Sequence, residues 1–77
     1  MDSVCWVLIQ RPDLTWYKQG GEYCSARGAM QLVNKIRRNP DDYTLRGFAN
    51  LRIVEISLDP HTLQSYVRVV REFGASA

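Results

Sequence analysis

Histidine and cysteine are scarce in this chain, which has one histidine and two cysteines among 77 residues. A zinc site needs three or four such ligands, so the sequence predicts no metal site. Asp41 and Asp42 lack the alternating acidic positions and the closing glutamate of a calcium loop. Cys5 and Cys24 follow no metal spacing, so we expect two reduced, buried thiols or a disulfide between them. We therefore expect neither a metal nor a cofactor.

Motifs for catalysis and for phosphate binding are also missing. The sequence has no G-x-S-x-G, H-x-x-E-H or C-x-x-C, and His61 alone does not supply the partner and orienting group that a general base requires. We interpret His61 as a solvated residue in the first turn of a helix. Gly20-Gly21 lacks the remaining positions of a dinucleotide or nucleotide loop, so we interpret it as a bend in a hairpin. We predict no catalytic residue and no enzyme.

Long apolar runs and a strong net charge are absent as well. Residues 4–9 are apolar but too short for a signal peptide or a membrane span, so we expect a cytoplasmic protein without membrane contact. The formal net charge of +2 is small for a dedicated DNA-binding domain. Eight of the ten basic residues are arginine, which suits protein interfaces. The base composition of a GC-rich genome is the simpler explanation of that bias.

The length allows one domain, residues 1–77, with a thin core. A domain of this size buries only about 60% of the surface that its unfolded chain exposes. Small cores need good packing, a disulfide, a metal or a partner chain.

Three segments have the pattern of strands. Residues 4–9 form a continuous apolar run, which is typical of a strand buried on both faces. Pro12-Asp13 predicts a turn, after which a second strand is expected at about 15–18, resuming at 22–24. The third strand is residues 51–58, in which two sets of side chains alternate. One set is fully apolar and the other is mixed: Val54, Ile56 and Leu58 against Ile53, Glu55 and Ser57.

Two segments have the pattern of helices. Ser25 is the expected N-cap of the first, which is amphipathic and ends at Asn39-Pro40. Asp59-Pro60 predicts the start of the second, with aspartate as the cap and proline in the first turn. Gly74 would end it. The apolar stripe of this second helix is Leu63, Tyr66, Val67, Val70 and Phe73.

The segment from Asp41 to Asn50 is the least regular part of the chain. We interpret it as a connection held to the core by the apolar side chains of Tyr43, Leu45 and Phe48. A short strand at 43–46 is the alternative.

The predicted order is therefore β-β-α-β-α, an α+β fold built as a small two-layer sandwich. A right-handed crossover leaves room for the first strand between the other two. We expect a three-stranded antiparallel sheet of order 2-1-3 with two helices, a partial split β-α-β arrangement.

The first strand has more apolar surface than one helical layer covers. Val4, Trp6 and Leu8 lie on one face, while Cys5, Val7 and Ile9 lie on the other. If both helices pack on one side, the far face exposes three of these side chains, Ile53 and an aromatic residue of the second strand. One helix on each side would leave no such patch.

We therefore predict a small non-enzymatic protein-binding module. It acts as a homodimer or docks on a larger protein, and one concrete version is a phage or mobile-element inhibitor or adaptor that docks on a host protein complex. The alternative is a nucleic-acid-binding domain that combines a basic cluster with aromatic residues for base stacking, although the ribonucleoprotein motif of RNA-recognition domains is absent. The predicted binding residues are Trp6, Trp16, Tyr17, Lys35, Arg37 and Arg38.

Overall fold

The chain folds in the order β-β-α-β-β, in a computed structural model that describes residues 2–44 and 46–75, with Asp2 by its backbone alone. In these residues a four-stranded antiparallel sheet of order β2-β1-β3-β4 carries one α-helix on one side. The elements are β1 Asp2–Gln10, β2 Trp16–Tyr23, α1 Ala26–Arg38, a 3-10 turn at Pro40–Asp42, β3 Asn50–Asp59 and β4 Gln64–Phe73.

The predicted three-stranded, two-helix fold is wrong, because the last segment is a strand. The first three strands do lie in the order 2-1-3, with β1 between β2 and β3. The segment expected to form a second helix instead adds a fourth strand beside β3. The protein is still α+β, but a single α-helix covers the sheet in the described residues.

The prediction that Asp59-Pro60 starts a helix is wrong, because these residues begin a turn between β3 and β4. Oδ1 of Asp59 accepts a hydrogen bond from the backbone N–H of His61 at 2.9 Å. The N–H of Leu63 donates to the carbonyl of Asp59 at 2.8 Å, and Leu63 has a φ of 59°. An aspartate that binds the backbone two residues on can cap a helix or close a turn. His61 therefore lies in an exposed turn rather than in a helix.

Strand β4 follows this turn and is paired with β3 along its length, from Asp59–Gln64 to Leu51–Phe73. Its β-branched and aromatic residues favour a strand over a helix. The register shifts between Ile53 and Val54, which leaves Val70 as an extra residue in β4. This bulge interrupts the alternation along β4, so its apolar residues matched a helical spacing. Gly74 lies beyond the end of the strand and caps no helix.

The first helix is confirmed. Oγ of Ser25 accepts a hydrogen bond from the N–H of Gly28 at 3.3 Å, and the helix ends at Arg38, before Asn39. Its buried side chains are Ala29, Val33 and Ile36.

The core lies between α1 and one face of the sheet. Alternate residues of β1 point toward the helix, and neighbouring residues of β3 complete the layer. The fully buried side chains include Val7, Ile9, Val33, Ile36, Leu51 and Ile53.

The connection from α1 to β3 is anchored as expected at two of three positions. Tyr43 packs against the core and Phe48 is buried within it, whereas Leu45 lies outside the described residues. Residues 43, 44 and 46 form turns and a bend rather than a strand.

Gly20 marks an irregularity in the β1–β2 hairpin, where the register shifts between Cys5 and Val7. Gly20 has a φ of 77°, and an added Cβ would lie 2.9 Å from Cδ2 of Leu32.

We expect Gly20→Ala to lower the free energy of unfolding by about 1–3 kcal/mol, because alanine is strained in the left-handed region and its Cβ would displace the side chain of Leu32. Gly21→Ala, where an added Cβ meets nothing within 4 Å, is the matched control. Urea denaturation measures both, and equal losses would contradict the assignment.

Candidate functional site

The sheet has one face that no described element covers, and we call it the open face. Directly opposed residues of an antiparallel pair lie on the same face, so the strand registers define its members. Helix α1 packs on the other face, where Cys5, Val7 and Ile9 are buried. The open face includes Val4, Trp6, Leu8, Gln10, Trp16, Lys18, Asn50, Arg52, Val54, Ile56, Leu58, Ser65, Val67, Val69 and Glu72.

The centre of the open face is apolar across three strands. One row places Trp6 of β1 opposite Val54 of β3, which lies opposite Val69 of β4. The next row is Val4, Ile56 and Val67. On β4, Val67 is 65% exposed and Val69 is 48% exposed, whereas Val54, between Trp6 and Val69, is only 3% exposed. The rows form a continuous apolar patch, of the kind that marks an interface.

Strand β3 presents its two side-chain sets in an unexpected direction. The fully apolar set, which includes Val54 and Ile56, lies on the open face. The mixed set, with Ile53 and Glu55, lies toward α1. Ile53 was expected on the exposed face, but it is fully buried against the helix layer. The fully apolar set therefore lies on the side of the sheet without a helix, where exposure rises from 3% at Val54 to 47% at Leu58.

A polar row crosses one end of the open face. Nζ of Lys18 lies 4.7 Å from the centroid of the Trp6 ring, and Cζ of Arg52 lies 4.5 Å from that of Trp16. Nη2 of Arg52 also lies 3.3 Å from Oε1 of Glu72. Each tryptophan thus carries a cation, an arrangement that stabilises both groups.

Two buried polar atoms of the open face have no hydrogen-bond partner among the described residues. They are Nε1 of Trp6 and Nε of Arg52. A buried donor without an acceptor costs free energy, so these two atoms lower the stability of this side of the sheet.

The six predicted binding residues are divided between the two sides of the sheet. Trp6 and Trp16 lie on the open face. Tyr17 points the other way, and its hydroxyl donates to the carbonyl of Tyr43 at 2.7 Å, which gives it a structural contact. The basic cluster lies in the last turn of α1, on the helix side: Lys35, Arg37 and Arg38.

The remaining members of the open face were not predicted as site residues. Lys18 and Arg52 belong to it through strand register, which the sequence alone does not determine. Val67 and Val69 were missed because β4 was expected to be a helix. The alternation in residues 51–58 was the one available signal, since it separates an apolar set from a mixed one.

A cavity of about 400 Å³ lies between the β1–β2 turn and the segment before β3. Arg11, Asp13 and Arg46 are among the residues that line it. Hydrogen bonds from the side chain and backbone of Thr15 lower the pKa of Asp13, and Arg11 lowers it further. The ionised carboxylate offsets part of the positive charge of the two arginines.

The described residues also bear on metal binding and on membrane insertion. Across residues 2–44 and 46–75, no group of three or more histidine, cysteine, aspartate or glutamate residues is placed to hold a metal ion. No helix in that part of the chain is long and apolar enough to cross a membrane.

The two cysteines are free thiols in different environments. Cys5 is 3% exposed, and burial raises the pKa of its thiol. Cys24 is exposed, so the expectation of two buried thiols is wrong for this residue, and the two do not form a disulfide.

We expect iodoacetamide to alkylate Cys24 in the native protein, while Cys5 reacts only after denaturation, because a buried thiol is inaccessible and less ionised. Peptide mass spectrometry before and after urea treatment measures the two sites. Equal native labelling of both cysteines would contradict the burial of Cys5, and Cys24→Ser is the control for site assignment.

Comparison with protein-family models, with curated protein sequences and with solved structures finds no match to this chain.

Proposed function

We propose that this chain is a protein-binding module that acts by covering its open face with another protein chain. The observation that carries the proposal is the exposed part of the two apolar rows, in which Val67 is 65% and Val69 is 48% exposed with no described element packed over them. A fully exposed apolar side chain forgoes about 1.5–3 kcal/mol compared with full burial, and these two valines forgo part of that. A protein partner would recover part of that free energy.

The geometry of the sheet favours a broad, flat contact. The molecule measures 43 × 24 × 17 Å along its principal axes, and α1 lies on one side of the four-stranded sheet. The apolar rows lie on the other side, and charged residues of the open face lie mainly at one end. An apolar centre with polar margins is the usual composition of a protein interface. A role as an inhibitor or adaptor stays a prediction based on size and the absence of catalytic motifs.

Nucleic-acid binding is the second candidate, and one observation favours it. Trp6 and Trp16 share the open face with Lys18 and Arg52, and aromatic residues beside cations can stack on unpaired bases. The valine and isoleucine rows do not serve that purpose. The basic cluster at the end of α1 is on the other side of the sheet and cannot complete the same surface.

Two neighbouring residues of β4 provide the test. Val67 lies on the open face, and Tyr66 lies on the helix side with 50% exposure. We expect Val67→Glu to abolish capture of protein partners from a lysate of the source organism, because it places a charge in the apolar rows. Tyr66→Glu should retain the same partners.

Salt separates the two candidate functions in the same experiment. Capture through an apolar face should survive a rise from about 50 to 200 mM salt, whereas nucleic-acid binding should weaken steeply over this range. Retention of the same proteins by the Val67→Glu variant would refute the proposal. Salt-sensitive binding of a single-stranded oligonucleotide that is lost in Trp6→Ala would support the second candidate instead.

A further inference from the structure

The open face has the area of a stable dimer interface. Four strands of eight to ten residues, about 4.8 Å apart and about 3.3 Å long per residue, have a face of roughly 600 Å², which is the lower end of the range for one partner of a specific interface. Stacked sheets pack about 10 Å apart, with side chains of their two inner faces interdigitating. A second sheet placed on the open face would therefore build a second core, on the opposite side of the sheet from the one beneath α1.

The arrangement of side chains on the open face is complementary to itself. The complementarity arises for a twofold axis that lies parallel to the strands, between β1 and β3. Such an axis places β1 of one copy over β3 of the other, and β2 over β4. Trp6, the largest side chain of the centre, then lies over the smaller Val54 of the second copy, whose side chain is 3% exposed in the single chain. In the next row, Val4 faces Ile56. Large side chains opposite small ones let two faces interdigitate.

The charged residues at the two edges of the open face are also complementary under this twofold axis. Lys18 of β2 and Glu72 of β4 lie in the same polar row, at opposite edges of the sheet. The axis places Lys18 of each copy over Glu72 of the other, so two opposite-charge contacts form per dimer. Among the described side chains, Lys18 has no carboxylate within ion-pair distance, and its ammonium rests on the Trp6 ring. Both side chains are long enough to adjust to the aligned packing angle of about 30° between twisted sheets.

From the area, the shape and the charges we infer that the occupant of the open face is a second copy of this chain, stacked face to face with β2 over β4. The inference rests on the proposed function and names the partner that covers the face. The twofold arrangement satisfies the requirement that a symmetric dimer use the same surface patch on both subunits.

A charge exchange between separate chains tests this arrangement. In sedimentation equilibrium, the wild-type chain should have the mass of a dimer at high micromolar concentration. Lys18→Glu alone and Glu72→Lys alone should each weaken the dimer at least tenfold, because every cross-copy contact becomes a like-charge pair. A mixture of the two variants should restore the dimer, because both contacts then join opposite charges. Effects within one chain cannot be rescued by mixing.

Two further variants complete the design. Arg68→Glu reverses a charge on the helix side of β4, where Arg68 pairs with Glu55 at 3.1 Å, and it should leave the dimer unchanged. Val67→Glu should give monomer. Far-UV circular dichroism verifies that each variant is folded, and Val67→Glu supplies the result if a polar-row variant does not fold.

The outcomes distinguish this inference from the proposed function. Monomer at every concentration, or a mixture that fails to restore the dimer, overturns the inference. If the monomeric chain still captures a protein that Val67→Glu loses, the proposed function stands with a different partner. If the dimer and all capture survive Val67→Glu, the open face is not the binding surface and both proposals fail.

Discussion

Ile53→Ala should lower the free energy of unfolding by about 3 kcal/mol, and Ile56→Ala should lower it by about 1 kcal/mol. The two residues have the same side chain and lie in the same strand, three positions apart. Ile53 is fully buried against α1, whereas Ile56 is half-buried on the open face. Removal of the first leaves a cavity in a thin core that cannot collapse easily, while the second loses contacts that water already reaches in part.

Urea denaturation at low micromolar concentration measures the difference. The concentration must be low enough that the midpoint is independent of it, so that Ile56 is compared in the uncovered chain. A larger loss for Ile56 than for Ile53 would mean that α1 covers the opposite face of the sheet. The sequence pattern alone suggested that Ile56, and not Ile53, faces the helix. The comparison of Ile53→Ala with Ile56→Ala therefore decides which side of β3 faces α1.

Part of the fold could be predicted because its signals are local. The Ser25 cap and the amphipathic spacing determine α1, and the continuous apolar run in residues 4–9 identifies the central strand. These features depend on neighbours in the sequence. The same reasoning located the third strand within one residue at each end, residues 51–58 against Asn50–Asp59.

Strand β4 could not be predicted because its decisive interactions are nonlocal. Asp59 makes the same kind of backbone hydrogen bond in a turn that it would make as a helix cap. The Asp59-Pro60 motif is therefore compatible with either structure. The bulge at Val70 breaks the strand periodicity. Nine residue pairs with β3 then decide the outcome, and no short-range sequence pattern indicates that pairing.

The candidate site could be predicted only in part, because strand register also determines which of its residues lie together. Trp6 and Trp16 were identified because large aromatic residues on a small sheet indicate surplus apolar surface. Arg52 contacts Trp16 from a strand 36 residues away in sequence, and only the register brings them together. The number of helices also mattered. The described residues contain one α-helix, which covers one side of the sheet and leaves the other side open.

Trp6→Ala is expected to weaken association through the open face by about a hundredfold, or about 2.7 kcal/mol. Trp6 lies in the apolar centre, its indole Nε1 is buried without a partner in the described residues, and it supports the ammonium of Lys18. Large, central aromatic side chains contribute most of the free energy in typical interfaces. Trp6→Phe retains an aromatic ring and should lose less than tenfold.

Trp16→Ala is the matched control, because Trp16 lies at the polar end of the same face under the guanidinium of Arg52. A tryptophan at the margin stays near water after association, so its removal should weaken binding by less than about fivefold. The dimer dissociation constants from sedimentation measure all three variants. Equal losses at the two positions would place the contact at the end of the sheet rather than at its apolar centre. A loss confined to Trp16 would indicate a partner that binds the cationic end of the open face, as a nucleic acid would. It would argue against a partner that covers the valine and isoleucine rows.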